Sequence, residues 1–409
     1  MADREHQALD DELASQEFFA NPYPLFRRMR EEAPVYWSNI LNSWVLTRYD
    51  DVVSSLLNTQ VLSSADRMTT LLDQLPVSVR EDARFVDQHY AATLPFQNPP
   101  EHTRIRGLVS KAFTPRVVES MRPQIQTITD HLLDAAQGRE QIDLIRDFAF
   151  PLPVIVISAL MGVPRDGREE LKRWTNEIFA IFSSARAQPT TTESGMRSLG
   201  KARDYLGCLI AERTKRPQED LISHLITVEE HGKFLSAKEI QANSVTFFVA
   251  GHETTTNMIG LSVLALLKHP EQLSKLRDNP SLITPAVEEL LRYDGSLLRN
   301  WRVATEDIEI RGKRIRKGQM VSQMLGAANR DPAKFPDPDR LDISRHENRH
   351  LAFGHGIHFC LGAPLARLEL HVALATFIRR FPRLRPGEGT IEWRRDYTFR
   401  GVKTLPVRL

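Results

Sequence analysis

The longest sustained apolar pattern in the chain begins after Ser236 and runs to Leu267, where His269-Pro270 stops it. Ser236 with Glu239 three residues on has the form of a capping box. The spacing therefore predicts one helix of about 30 residues, about 45 Å long at 1.5 Å per residue, enough to cross a whole domain. It does not read as a membrane span, because His252, Glu253, three threonines and Asn257 interrupt the run. The interruption, Ala250-Gly-His-Glu-Thr-Thr-Thr256, puts glycine and β-branched residues where a helix interior disfavours them. A threonine hydroxyl there can bond a carbonyl one turn back and bend the helix. Small Ala250 and Gly251 leave room for something flat to approach, and Glu253 beside Thr254 offers a carboxylate and a hydroxyl for proton delivery. A plain kink with a solvated glutamate is the other reading.

Elsewhere the pattern is mostly helical. Asn21-Pro-Tyr-Pro before Leu25 reads as a helix start. Thr103 to Gly138 is helical with breaks around Pro115 and Pro123, and helical patterns continue to about residue 230. Strand signals are few: Trp44-Val-Leu-Thr, and residues 308–315 and 318–322 around glycine turns. Residues 60–100 read as irregular, which in a compact chain is often functional. Residues 328–344 are turn-rich, and a glycine loop at Phe353 leads into a helix from Ala363 to Arg380. The expected class is mainly α with a minor β part.

Composition narrows the function. The 409 residues carry 54 Lys plus Arg against 52 Asp plus Glu, which excludes a generally basic nucleic-acid binder. The length allows two or three average domains or one large one, and no linker marks a cut. Two cysteines, Cys208 and Cys360, exclude a disulfide framework and a cysteine-ligated iron–sulfur cluster. The charged N-terminal stretch has no apolar segment of a signal peptide, so a cytoplasmic protein without a membrane anchor is expected.

Cys360 stands out in Phe353-Gly-His-Gly-Ile-His-Phe-Cys-Leu-Gly-Ala-Pro, just before a helix start that should lower its thiol pKa. Gly354 and Gly356 permit positive φ and close approach of a planar group, and Gly362 is expected to do the same beyond the cysteine. A rival reading is zinc, with His346, His350, His355 and His358 near Cys360, although their spacing does not reproduce common zinc modules. Glu289-Leu-Leu-Arg292 pairs opposite charges on a helix, and His102 and Arg106 share a helical face that suits an anion, with Arg302 able to join them.

Together these segments resemble the cytochrome P450 family of heme-thiolate monooxygenases, in the family's order and over essentially the whole chain. The loop from Phe353 to Gly362 is similar to the heme-binding signature, and Ala250-Gly-His-Glu-Thr-Thr to the oxygen-activation motif. Glu289-x-x-Arg292 is similar to the family's charged helix pair, and Phe335-Pro-Asp-Pro-Asp-Arg340 to the segment whose arginine joins it. The resemblance implies a triangular-prism fold, one heme domain over residues 1–409, and heme b with Cys360 as the iron ligand. It implies that His102, Arg106, Arg302 and His358 grip the propionates and that Phe353 packs beside the thiolate. Thr254 would position dioxygen and its protons, Glu253 would relay protons, and Ala250 and Gly251 would form an oxygen groove. Glu289, Arg292 and Arg340 would be a buried structural triad. Asn98 stands where similar proteins often carry Asp, which leaves the local cap open.

By the same resemblance the substrate pocket is lined by Tyr90, Phe96, Thr246, Val249, Ala250, Leu297, Leu298, Thr398 and Phe399, with Phe179, Ile181 and Phe182 as a lid. No charged residue clearly faces it, so a hydrophobic, neutral small molecule is expected. With no fused reductase, electrons would come from a ferredoxin or flavodoxin with its reductase. Lys111, Arg116, Arg345, Arg349 and Arg367 are candidates for its docking patch, and a monomer is expected. A peroxide-driven enzyme, a non-catalytic heme protein and a zinc-stabilised helical protein are the alternatives. The Glu253–Thr254 pair favours the dioxygen enzyme over the first two.

Overall fold

The computed structural model describes residues 2–182 and 186–409. It is 58% helical with a minor sheet part, the expected class. The long helix spans Ala237–Lys268 and runs without interruption. Its capping box is formed: Ser236 accepts from Glu239 N–H, and the Glu239 carboxylate accepts from Ser236 N–H. The threonine run does not break the helix, because the side chains satisfy its carbonyls. Thr254 Oγ1 donates to Ala250 O at 2.9 Å and His252 Nδ1 to Phe248 O at 2.8 Å. Most of the helix is buried. It packs against Pro151–Leu160, Pro189–Lys215 and Ala363–Arg380. Among the described residues no helix is long and apolar enough to cross a membrane.

The main sheet has five strands in the order Val35–Ser38, Ser43–Leu46, Met320–Met324, Arg299–Ala304, Leu62–Ser63. Only the second and third run parallel, with Val321 beside Trp44 and, on its other side, Arg302. Residues 60–100, expected to be irregular, instead hold helices Arg67–Leu72 and Val77–Tyr90. Ala83, Val86 and Tyr90 form the buried stripe of the second. Charged Arg80, Glu81, Asp82 and Arg84 between them diluted the helical period in the sequence. A strand at Gln141–Asp143 interrupts the expected helical region because it pairs with Pro406–Arg408 at the far end of the chain. Asn98 caps no helix. It accepts from Ser64 N–H (3.0 Å) and donates to Ser63 Oγ (2.8 Å), tying the edge strand to the start of the helix Glu101–Ala112.

The buried ion pair is present, with a different third member. Glu289 and Arg292 are fully buried and paired at 2.7 Å. Arg345, not Arg340, completes the set, with Nε 3.1 Å from Glu289 Oε2. The Arg340 side chain is exposed, and only its carbonyl takes part, accepting from Arg292. The four residues between them let the chain turn at Leu341 and Ile343, which are buried, before Arg345 points inward. Arg292 also donates to the carbonyls of Asn329 (2.9 Å) and Pro338 (2.8 Å). Glu289 accepts from Asp342 N–H and Asn348 Nδ2 as well. The turn-rich segment is thus fastened to the helix Ile283–Tyr293. Removing one partner of such a buried pair costs about 3–5 kcal/mol. Arg345→Ala should therefore lower the unfolding free energy, measured by chemical denaturation, by an amount of that order. Arg340→Ala should stay within about 0.5 kcal/mol, and equal losses in the two variants would contradict the assignment.

Candidate functional site

The Cys360 loop takes its shape from two glycines. Gly354 (φ +72) and Gly356 (φ +70) lie in the left-handed region, where a side chain is strained. A Cβ on Gly356 would also meet Leu57 Cδ2 at 3.2 Å. Gly362 has an ordinary φ of −79, so its backbone does not require glycine, contrary to expectation. The loop closes through Cys360 N–H donating to Phe353 O at 2.9 Å. The helix Ala363–Arg380 follows directly. The Phe353 ring is covered by the Arg367 guanidinium at 4.5 Å.

The thiol does not behave as its helix position suggests. Burial pushes its pKa up, and this outweighs the N–H groups of Gly362 and Ala363 and the charges of Arg106 and Arg367, which pull it down. Cys360 nonetheless has exposed surface. Both facts hold when the sulfur opens on an internal cavity rather than on bulk water. The long helix meets that description too. Thr246, Ala250 and Thr254 recur every four residues, on one helical face, and none of them is buried while Val245, Val249 and Glu253 are. Gly251 faces elsewhere. A Cβ there would meet Ile157 Cδ1 and Cγ1 at 3.0 Å, so its small size serves packing against the helix Pro151–Leu160 rather than a groove.

Glu253 is buried and turned away from this face, paired with the half-buried Arg394, a residue the sequence did not single out. His252 Nε2 lies 3.8 Å from its carboxylate. Glu253 and Thr254 are thus neighbours in sequence that look to different sides of the helix.

A cluster of bases gathers at the Cys360 loop. The His102 and His358 rings stand 4.4 Å apart, and His358 Nε2 is 3.1 Å from Ser64 Oγ. Arg106 donates to Phe359 O at 2.8 Å. Arg302, on the strand Arg299–Ala304, is buried and donates to Asn300 Oδ1 and Trp301 O. Burial, then the neighbouring cations, hold His358 down to about 2 and His102 to about 4. Burial lowers Arg302 to about 10. His102 Nε2 and Arg302 Nε have no hydrogen-bond partner, and none of the four bases forms an ion pair with an acid among the described residues. The two histidines are thereby kept neutral near pH 7, but buried Arg302 and half-buried Arg106 are cations without acid partners, which is costly, so the site is built for an anionic group. A planar heme whose two propionates reach these four side chains, with its iron at Cys360, fits that demand.

The expected pocket residues come together in part. Tyr90 and Phe96 have ring centroids 4.8 Å apart, and Phe182 joins them at 5.2 and 6.0 Å. Phe179 lies on Phe399 at 4.3 Å, and Leu297 bridges Phe399. Leu298, just before the strand Arg299–Ala304, belongs instead to a second core with Phe26 and Met324, while its neighbour Leu297 packs on another. Ile181 packs on Gly195 of the helix Pro189–Lys215 and not in a lid. Thr398 is buried in a polar knot, donating to Phe182 O at 2.9 Å. Two buried arginines, Arg67 and Arg299, stand among these rings, both over Trp301. The sequence does not reveal them, since a lone arginine at a helix start or in a strand carries no pattern.

The proposed docking patch is thinner than expected. Arg345 is committed to Glu289, Arg367 to Glu288 at 2.7 Å, and Lys111 faces Glu230 at 3.3 Å. Arg116 and Arg349 remain exposed. The histidines of the zinc alternative do not converge. His350 meets Glu288, His358 meets Ser64, and no three potential ligands gather among the described residues.

Known proteins resemble this chain over almost its whole length. A family model described as cytochrome P450 matches residues 47–402. The polyketide biosynthesis cytochrome P450 PksS of Bacillus subtilis is 39% identical, covering 96% of this chain and 97% of its own. The 6-deoxyerythronolide B hydroxylase of Saccharopolyspora erythraea is 37% identical, with 97% and 98% covered. Among solved structures, P450BioI in complex with hexadec-9Z-enoic acid ligated acyl carrier protein superposes with a TM-score of 0.88 at 40% identity, covering 97% of this chain and 100% of that one.

The Gly251 assignment is open to test by a double-mutant cycle. Gly251→Ala and Ile157→Val should couple by more than about 0.5 kcal/mol in unfolding free energy, because Ile157→Val removes the Cδ1 that the new methyl meets. Additive effects would mean that Gly251 does not face Ile157.

Proposed function

The chain belongs to the cytochrome P450 family of heme-thiolate monooxygenases, and we propose that it oxygenates an apolar organic molecule with electrons from a separate carrier protein. The observation that carries this reading is that Cys360 and the Thr246–Ala250–Thr254 helix face both keep accessible surface, and that four bases lacking acid partners among the described residues gather at the cysteine loop. Heme bound through a cysteine thiolate supplies the chemistry of inserting one atom of dioxygen into a C–H or C=C bond, the other leaving as water after two electrons and two protons arrive.

The chain's residues do the rest. Cys360 ligates the iron, and the N–H groups of Gly362 and Ala363 together with Arg106 stabilise the thiolate. His102, Arg106, Arg302 and His358 hold the propionates. Phe353, pinned under Arg367, shields the sulfur from water. Thr254 spends its proton on the Ala250 carbonyl, so its lone pairs are left to accept from a donor in the cavity. Glu253 carries protons from the side of Arg394, where the chain reaches solvent, by rotating toward Thr254. Tyr90, Phe96, Phe182, Leu297 and Phe399, with Thr246 and Ala250 of the long helix, surround an apolar substrate. A ferredoxin or flavodoxin docks on the cysteine side, where Arg116, Arg349 and apolar Ile357 are exposed.

The test is the balance of electrons. Thr254→Ala should bind heme normally yet convert about tenfold less substrate per electron consumed, the remainder appearing as hydrogen peroxide. Full coupling in that variant would remove Thr254 from proton delivery.

A further inference from the structure

Arg67 and Arg299 are unused by the chemistry above, and their surroundings are unusual for arginine. Both are buried, 9% and 5% exposed. The Arg67 guanidinium lies 4.5 Å from the Trp301 ring centroid and 4.6 Å from that of Phe96. The Arg299 guanidinium lies 5.1 Å from the same tryptophan. The Arg67 side chain makes no hydrogen bond or ion pair among the described residues, and its Nε is without a partner. Among the described residues Arg299 has one side-chain bond, to Thr398 Oγ1 at 3.3 Å, and its Nε has no partner. Asp396 is close enough to act on Arg299 electrostatically, but its carboxylate accepts from the N–H groups of Thr398 and Phe399 at 2.8 and 2.9 Å.

Stacking on rings offsets part of the burial of a cation, by about 2 kcal/mol at most sites. It does not satisfy guanidinium N–H donors, which demand oxygen. The heme does not exhaust the positive charge either. Its two propionates match Arg106 and Arg302, and Asp396 matches one of the two remaining arginines, which leaves one positive charge over. Strand alternation puts Arg299 and Trp301 on one face of their strand and Arg302 on the other, while Arg67 lies near enough to Arg302 and His358 to repel both. The space around the surplus charge is aromatic. Phe182 is 6.3 Å from Trp301 and stacks with Tyr90 and Phe96.

We propose that Arg67 and Arg299, held over Trp301, form an anion subsite that binds the carboxylate of an amphiphilic substrate whose apolar body lies along Tyr90, Phe96 and Phe182. The inference rests on reading those three rings as the substrate wall, and it replaces the neutral substrate expected from sequence. The carboxylate forms bidentate, charge-assisted bonds with a guanidinium, fixing one end of the molecule and so selecting which carbon is presented for oxidation. Arg67 and Arg299 act by positioning and touch no reacting atom.

The probes are decanoic acid and methyl decanoate at pH 8, where the acid is ionised. Binding to the holoprotein is read by calorimetry and by the shift of the heme Soret band. The wild-type chain should bind the acid at least about tenfold more tightly than the ester, a difference of about 1.4 kcal/mol. In Arg299→Gln and Arg67→Gln the acid should lose that advantage, while ester affinity and the thiolate heme spectrum are kept. Equal affinity of acid and ester in the wild-type chain overturns the proposal. So does an undiminished preference for the acid in Arg299→Gln, the variant remote from the Arg302 face, even if Arg67→Gln fails to hold heme. Acid preference by calorimetry in a chain that takes up no heme would sustain the anion subsite and refute the monooxygenase reading instead.

Discussion

The position of the reactive sulfur depends on one buried carboxylate. Glu289 receives Arg292, Arg345, Asn348 and a backbone N–H, and Arg292 in turn holds the carbonyls of Asn329 and Pro338. Residues 325–350 contain little regular structure, so side-chain bonds must do what a sheet or helix would otherwise do. Asn329 then accepts from Leu351 N–H at 2.7 Å, immediately before the glycine loop. Cys360 is therefore positioned by a chain of polar contacts that begins at a helix on the other side of the loop. A charge pair at zero exposure is costly to build, and much more costly to leave half built.

The second constraint is positive charge held in a low-dielectric interior. Six basic side chains, Arg67, His102, Arg106, Arg299, Arg302 and His358, gather where the main sheet meets the helix Glu101–Ala112 and the cysteine loop. The interior lowers the tendency of each to be charged, and for Arg67, His102 and His358 mutual repulsion adds to this. Anionic partners reverse both effects. A dianionic cofactor edge and a monoanionic substrate head supply them, so cofactor binding and substrate choice draw on one electrostatic basin.

What was legible in the sequence was local. The capping box at Ser236, the Thr254 back-bond to Ala250, the positive φ of Gly354 and Gly356, and the helix bounds Ala363–Arg380 all follow from residues within one or two turns. The errors lie where a residue's partner is remote. Arg340 and Arg345 are equally plausible partners for Glu289 until the turn at Leu341 fixes which one points inward. Gly251 is next to Ala250, but only the approach of Ile157 decides what it is for. Leu298 directly precedes the strand that begins at Arg299, and where each of the two goes depends on the pairing of that strand with Met324. Arg67 and Arg299 carry no motif, and their meeting at Trp301 is purely tertiary.

The central claim is that Cys360 binds heme iron as a thiolate. The most direct measurement is the carbon monoxide difference spectrum of the reduced, purified protein, with Cys360→Ala alongside. The account predicts a strongly red-shifted Soret band in the wild-type chain and its loss in the variant. A chain expressed with ample heme that shows no heme absorbance, or a band that persists without Cys360, would contradict it.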